Sequence, residues 1–152
     1  MCMTDNKNIR QTVFNQAIER MKNAGLPIDI NPDTKNALID LQGKAGTYRL
    51  VLKAVPSPTY PRSLHIQSIL TKSSLDALHI DHNTLLKWMN AKNADIIFGR
   101  YYFLDDNQAF VFEVALPVFE DHCDWAVFDE FLRLAMYSVE DSLAQLQAVA
   151  KG

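Results

Sequence analysis

The chain has 152 residues, with 15 Lys+Arg against 18 Asp+Glu and a formal net charge of −3 at neutral pH. At 48% hydrophobic and 22% charged it has the make-up of an ordinary globular protein, long enough to bury one self-sufficient core. These figures exclude intrinsic disorder, a collagen-like repeat and a disulfide scaffold, and the slight acidity argues against a non-specific nucleic-acid binder.

The opening MCMTDNKNIRQ is polar and lacks the apolar run of a secretory signal. About seven residues there are expected to be disordered. No uninterrupted apolar run reaches the ~18 residues of a membrane span, so no membrane contact is expected. Cys2 and Cys123 read as free thiols of a cytoplasmic protein, because a lipid on Cys2 would need an apolar leader before it.

From Ile9, the residues Val13, Ala17, Met21 and Ala24 recur at helical steps with Phe14 and Ile18 beside them, which predicts an amphipathic helix. Gly25 and Pro27 end it, and PIDINPDTK follows as a loop. NALIDLQ is a short strand, and Gly43-Lys44-Ala45-Gly46 a turn. TYRLVLKAV then alternates, with Tyr48, Leu50, Leu52 and Ala54 on one side and Arg49, Val51 and Lys53 on the other. The proline-rich PSPTYPR leaves the sheet, since proline lacks the donor a ladder needs. SLHIQSIL resumes the alternation, Leu64, Ile66 and Leu70 against His65 and Gln67.

Around Asp81 the period changes. Leu85, Trp88, Met89 and Lys92 mark one side of a short helix, with Asp81 or Asn83 as its N-cap. DIIFGRYYFL and QAFVFEVAL flank Asp105-Asp106-Asn107 and predict a hairpin that Pro117 closes. In the last segment Trp125, Phe128, Leu132, Ala135, Val139, Ser142 and Leu146 recur at helical steps, with Phe131 and Leu143 widening the stripe. Glu130, Arg133, Glu140 and Asp141 form the wet side, and Asp121 or Asp124 caps the start. About 26 residues at about 1.5 Å each make a helix of ~39 Å. The order is α-β-β-β-α-β-β-α, and no repeat or linker divides it. This predicts a single α+β domain over residues 1–152, an antiparallel sheet packed by helices.

The second half, LLKWMNAKNADIIFGRYYFLDDNQAFVFEVALPV followed by FDEFLRLAMYSVEDSLAQL, resembles the YbjN family within the type III secretion chaperone-like fold. The resemblance includes the helix end Met89-Asn90-Ala91-Lys92-Asn93, the strand running into an acidic turn and the alternating strand after it. It spans residues 82–147, while the first half agrees in element order alone. It implies a bacterial, often dimeric domain with no catalytic residues to carry over, described in that family as a regulator of sensory transduction. Secretion chaperones of this fold hold an extended effector segment, so a dedicated chaperone for an effector is the alternative that the resemblance implies.

Among residues suited to chemistry, His79-Ile80-Asp81-His82 with His122-Cys123-Asp124 is the sharpest metal candidate, because imidazole, thiolate and carboxylate are zinc ligands. No CxxC or HExxH pattern accompanies it. Cys123 precedes a helix, whose dipole lowers a thiol pKa, but no base is identified for it. GxSxG, a P-loop and GxGxxG are all absent. The pairs Asp105-Asp106 and Glu120-Asp121 read as a turn and a helix start. Neither a catalytic residue, a cofactor nor a metal is therefore expected; the alternative is a small metal-binding protein or enzyme using His79, His82, His122 and Cys123. Phe98, Tyr101, Tyr102 and Phe103 around Arg100 suggest a stacking platform for nucleic acid, but Asp105, Asp106 and Glu113 offset the charge, and core packing is the expected use of the rings.

A three-residue hairpin loop would pair Leu104 with Gln108. Phe98, Tyr102, Phe110, Phe112, Val114 and Leu116 would then share the core face. Ile97, Tyr101, Phe103, Val111 and Ala115 would share the other, broken only by Glu113. So apolar a second face calls for a partner. The expectation is a non-enzymatic protein-binding module, a homodimer with a further unidentified protein partner, using Ile97, Tyr101, Phe103 and Val111 or the neighbouring Trp88.

Overall fold

A computed structural model describes residues 3–43, 46–55, 62–70, 72–104, 109–118 and 122–151. The chain runs α1 (Met3–Asn23), β1 (Asp29–Ile30), β2 (Ala37–Gly43), β3 (Gly46–Val55) and β4 (Arg62–Leu70). It continues through α2 (Lys72–Leu78), α3 (His82–Asp95), β5 (Arg100–Leu104), β6 (Ala109–Val118) and α4 (Trp125–Lys151). The six strands form one sheet in the order β1-β2-β3-β4-β6-β5, every neighbouring pair antiparallel. The α+β class is as expected. Two short elements are additional: β1, too brief to show alternation, and α2, whose single apolar step falls between stronger patterns.

Period-two alternation sends Tyr48, Leu50 and Leu52 of β3, Leu64, Ile66 and Leu70 of β4, and Phe110, Phe112, Val114 and Leu116 of β6 to one face. There they join Val13, Ala17 and Met21 of α1, Leu85 and Met89 of α3, and Phe128, Leu132, Ala135, Val139, Leu143 and Leu146 of α4 in one buried cluster. All four helices pack into that cluster, so the helices lie on a single face of the sheet. Two serines let α4 come close: Ser68 Oγ donates to the Ala135 carbonyl at 2.7 Å, and Ser142 Oγ lies 2.8 Å from Tyr101 Oη. At the surface Arg20 ties α1 to Asp129 of α4 at 2.6 Å, a half-exposed pair that contributes little.

Helix ends follow local chemistry. Gly25 takes φ +86, and the amides of Gly25 and Leu26 reach back to the carbonyls of Lys22 and Met21, which closes α1. Asp81 caps α3 through the Thr84 amide, and Asp124 caps α4 through the Val127 amide. Asp121 lies outside the described residues. At its start α1 takes in residues 3–7, which the sequence reading leaves unstructured.

The second half departs from expectation in register. Leu104 pairs with Ala109, so the loop holds residues 105–108 and is one residue longer than expected. A one-residue slip turns every side chain of a strand over. Tyr101 and Phe103 therefore lie on the core face opposite Phe112 and Phe110, and Tyr102 lies on the other face opposite Val111. Trp88 is partly buried and packs against the same core, its ring 5.3 Å from Tyr101 and 5.9 Å from Phe110. Val111 is buried on the opposite face, whereas Ile97 stands exposed in the α3–β5 connection. The five residues expected to share one contact surface do not share one.

The strand expected from Asp95 begins only at Arg100. Helix α3 continues to Asp95, and Gly99, at φ +87, turns the chain where a Cβ would stand 2.6 Å from the Phe112 ring. At its other end β6 runs past Pro117 to Val118, because β5 stops opposite Glu113 and leaves one side of β6 unpaired there. The outer edge of β5 is occupied at one point by Asn93. Its side-chain amide donates to the Tyr101 carbonyl at 2.9 Å and its oxygen accepts from the Tyr101 amide at 2.7 Å, the pair of bonds a further strand would make.

Candidate functional site

The face of the sheet away from the helices is where the polar residues of the strand pattern converge. Ser63, His65 and Gln67 alternate along β4, and register places Gln67 and Arg100 either side of Glu113 on β6. Tyr102, two residues along β5 from Arg100, reaches the same carboxylate. Glu113 is only 4% exposed, and a buried carboxylate must have its charge compensated by donors.

His65 Nδ1 bonds Glu113 Oε1, and Tyr102 Oη donates to Oε2 at 2.5 Å. The Gln67 amide lies 2.8 Å from Tyr102 Oη and 3.5 Å from Oε2, and the Arg100 guanidinium is 3.4 Å from Oε2. Ser63 Oγ sits 2.8 Å from the far nitrogen of His65, Nε2. Burial pushes the Glu113 pKa up, but the hydrogen bonds from His65 and Tyr102, with the His65 ring and the Arg100 guanidinium alongside, outweigh it and take it down to about 2. Burial first, then the bond to Glu113 and its charge, raise the Tyr102 phenol well above its ordinary value. Glu113 is therefore a fixed negative charge at neutral pH, and Tyr102 a fixed donor.

The residues singled out for chemistry lie elsewhere. His79, in a left-handed conformation at φ 52 after α2, and His82 at the start of α3 line a cavity of about 800 Å³ with Leu75, Leu78, Leu85 and Phe103. The His82 ring lies 5.3 Å from that of Phe103. His122 is exposed just before α4, while Cys123 beside it is buried. Burial, then the charge of Asp124, push the Cys123 thiol up to about 11, the reverse of the lowering expected from its place before a helix. The thiol is a protonated core group. Among the described residues, no set of three or more His, Cys, Asp or Glu side chains is placed to hold a metal ion.

In the sequence Glu113 interrupts an apolar face, and His65 and Gln67 alternate with Leu64, Ile66 and Leu70. The available signal was that both interruptions fall mid-strand, where a lone carboxylate needs a cross-strand partner. Pairing them required the β4–β6 register, which joins strands separated in the chain by two helices and β5. No helix among the described residues is long and apolar enough to cross a membrane. No protein-family model matches the chain, and no curated protein matches it.

Proposed function

We propose that the chain is a protein-recognition module of the YbjN-like, secretion-chaperone-like kind, acting in the bacterial cytoplasm, and that the partner at its apolar contact is a second copy of itself. One observation carries this reading: Ile97 and Phe98 are 88% and 59% exposed, side by side in the connection between α3 and β5. The Phe98 ring lies 5.6 Å from Phe131 of α4, so the connection extends an apolar surface rather than standing alone. Asp95 and Arg100, both exposed, bracket the pair with opposite charges. A two-fold contact brings one surface against itself, and a patch carrying both signs meets its complement in that arrangement. A regulator and a dedicated secretion chaperone differ only in what the assembled module then holds.

Sedimentation of the full chain tests the reading. The expected mass is twice 17.3 kDa at micromolar protein, with Ile97→Asp/Phe98→Asp weakening association by about 100-fold or more and leaving the circular dichroism unchanged. A mass of 17.3 kDa at every concentration up to millimolar overturns the self-pairing.

A further inference from the structure

The contacts around Glu113 do more than compensate a buried charge. An ionised carboxylate only accepts, so the His65 nitrogen facing it, Nδ1, carries a proton. In the neutral ring this leaves the lone pair on Nε2, and Nε2 is the atom 2.8 Å from Ser63 Oγ. The Ser63 hydroxyl therefore donates into a base whose tautomer a carboxylate fixes. Hydroxyl, imidazole and acid stand in the serial relation that activates a serine nucleophile, a relation recognised by geometry and not by spacing in the chain. Strand geometry builds it: residues 63 and 65 point to the same face because they are two apart, and Glu113 comes alongside from the paired strand. Tyr102, Gln67 and Arg100 hold the second carboxylate oxygen, so Glu113 cannot swing away from the imidazole. Ser63 ends the series half-buried, on the face that no helix among the described residues covers.

We propose that Ser63 is an acyl-accepting nucleophile, with His65 as its base and Glu113 as the positioning residue, directed at carboxylic esters with good leaving groups. Ser63 Oγ bonds the ester carbonyl carbon, and its proton passes to His65 Nε2. The bond from that carbon to the leaving oxygen then breaks, and the proton passes from Nε2 to the departing alcohol. Water reverses the sequence: its oxygen bonds the acyl carbon and gives its proton to Nε2, the bond from that carbon to Ser63 Oγ breaks, the proton passes from Nε2 to Oγ, and the acid departs. The site lies on the sheet face away from α4 and shares with the Ile97–Phe98 connection Arg100, which reaches Glu113; labelling of Ser63 and sedimentation are separate readouts, so this proposal and the recognition reading stand or fall separately.

The test uses the full chain with a fluorophosphonate, which forms a phosphorus–oxygen bond to an activated serine and releases fluoride. Intact-mass and peptide mass spectrometry read the adduct. One adduct per chain on Ser63 is expected, absent from Ser63→Ala and formed about 100-fold more slowly in His65→Gln. Circular dichroism of Ser63→Ala, which removes one half-buried hydroxyl, establishes that the fold is intact. Glu113→Gln should slow labelling of Ser63, and Glu113→Asp, which restores a carboxylate, should recover part of the rate. Failure of Ser63 to label while a known serine hydrolase reacts overturns the proposal. Equal rates in the wild type and in folded His65→Gln, or adducts spread over other serines, overturn it equally.

Discussion

The two faces of the sheet bury side chains by different means. Toward the helices, Phe110, Phe112, Leu50 and Ile66 meet a close-packed apolar layer, and contact itself stabilises them. On the opposite face Gln67 and Glu113 are nearly as inaccessible, at 5% and 4%, with no helix of the described residues above them. There both Glu113 oxygens and the Gln67 amide nitrogen are held by named partners, and the register must bring donor to acceptor. An apolar layer tolerates some repacking; a hydrogen-bonded carboxylate does not, because losing one partner leaves the others unmatched.

Three substitutions would break or sharpen that contrast. Phe128→Ala, in the first turn of α4 and fully buried, should cost about 3–5 kcal/mol in urea unfolding. A loss under about 1 kcal/mol would mean that α4 does not anchor the helix-covered face.

Glu113→Gln should come next, and its cost should depend on pH. With the folded carboxyl near 2 and its ordinary value at 4.5, the charge stabilises the fold fully above about pH 4.5. That stabilisation is lost as the pH falls through about 2. His65, Tyr102 and Arg100 are the titratable and charged groups facing it. The gap between wild type and Glu113→Gln should be about 3 kcal/mol at neutral pH and should close between pH 4.5 and 2. A gap that stays constant across that range would show that the charge has no part in it.

The smallest effect belongs to the sheet's outer margin. Asn93→Ala removes two bonds to the backbone of Tyr101 and should cost about 1–2 kcal/mol. It also bares part of the β5 edge, so faster aggregation of the variant on light scattering should accompany the loss. Stability unchanged in Asn93→Ala would mean that water replaces the side chain without penalty.

Much of the fold is legible in the residues. The stripe from Phe128 to Leu146 predicts α4, Gly25 the end of α1, Asp81 and Asp124 the caps, and the alternation Tyr48, Leu50, Leu52 the buried side of β3, because each of these signals is local. Hairpin register was not legible. Rings occur at both parities of β5, with Tyr101 and Phe103 on one and Tyr102 on the other, so no pattern distinguishes a three-residue loop from a four-residue one. Asn93 illustrates the same limit: it stands in the helix-end motif that carries the family resemblance, yet its bonds go to a strand that begins seven residues later.

The amino-acid sequence by itself determined the α+β class, the α4 stripe, most helix ends and the inward residues of β3 and β4, since periodicity and capping act over one or two turns of chain. Only the tertiary structure decided which side of β5 faces the core and where the helices leave the sheet open. It alone brought His65 and Glu113 together, 48 residues apart in the chain. Such pairing depends on which strand lies beside which, and crossing from β4 to β6 by way of two helices and β5 leaves no mark on the local pattern of either strand.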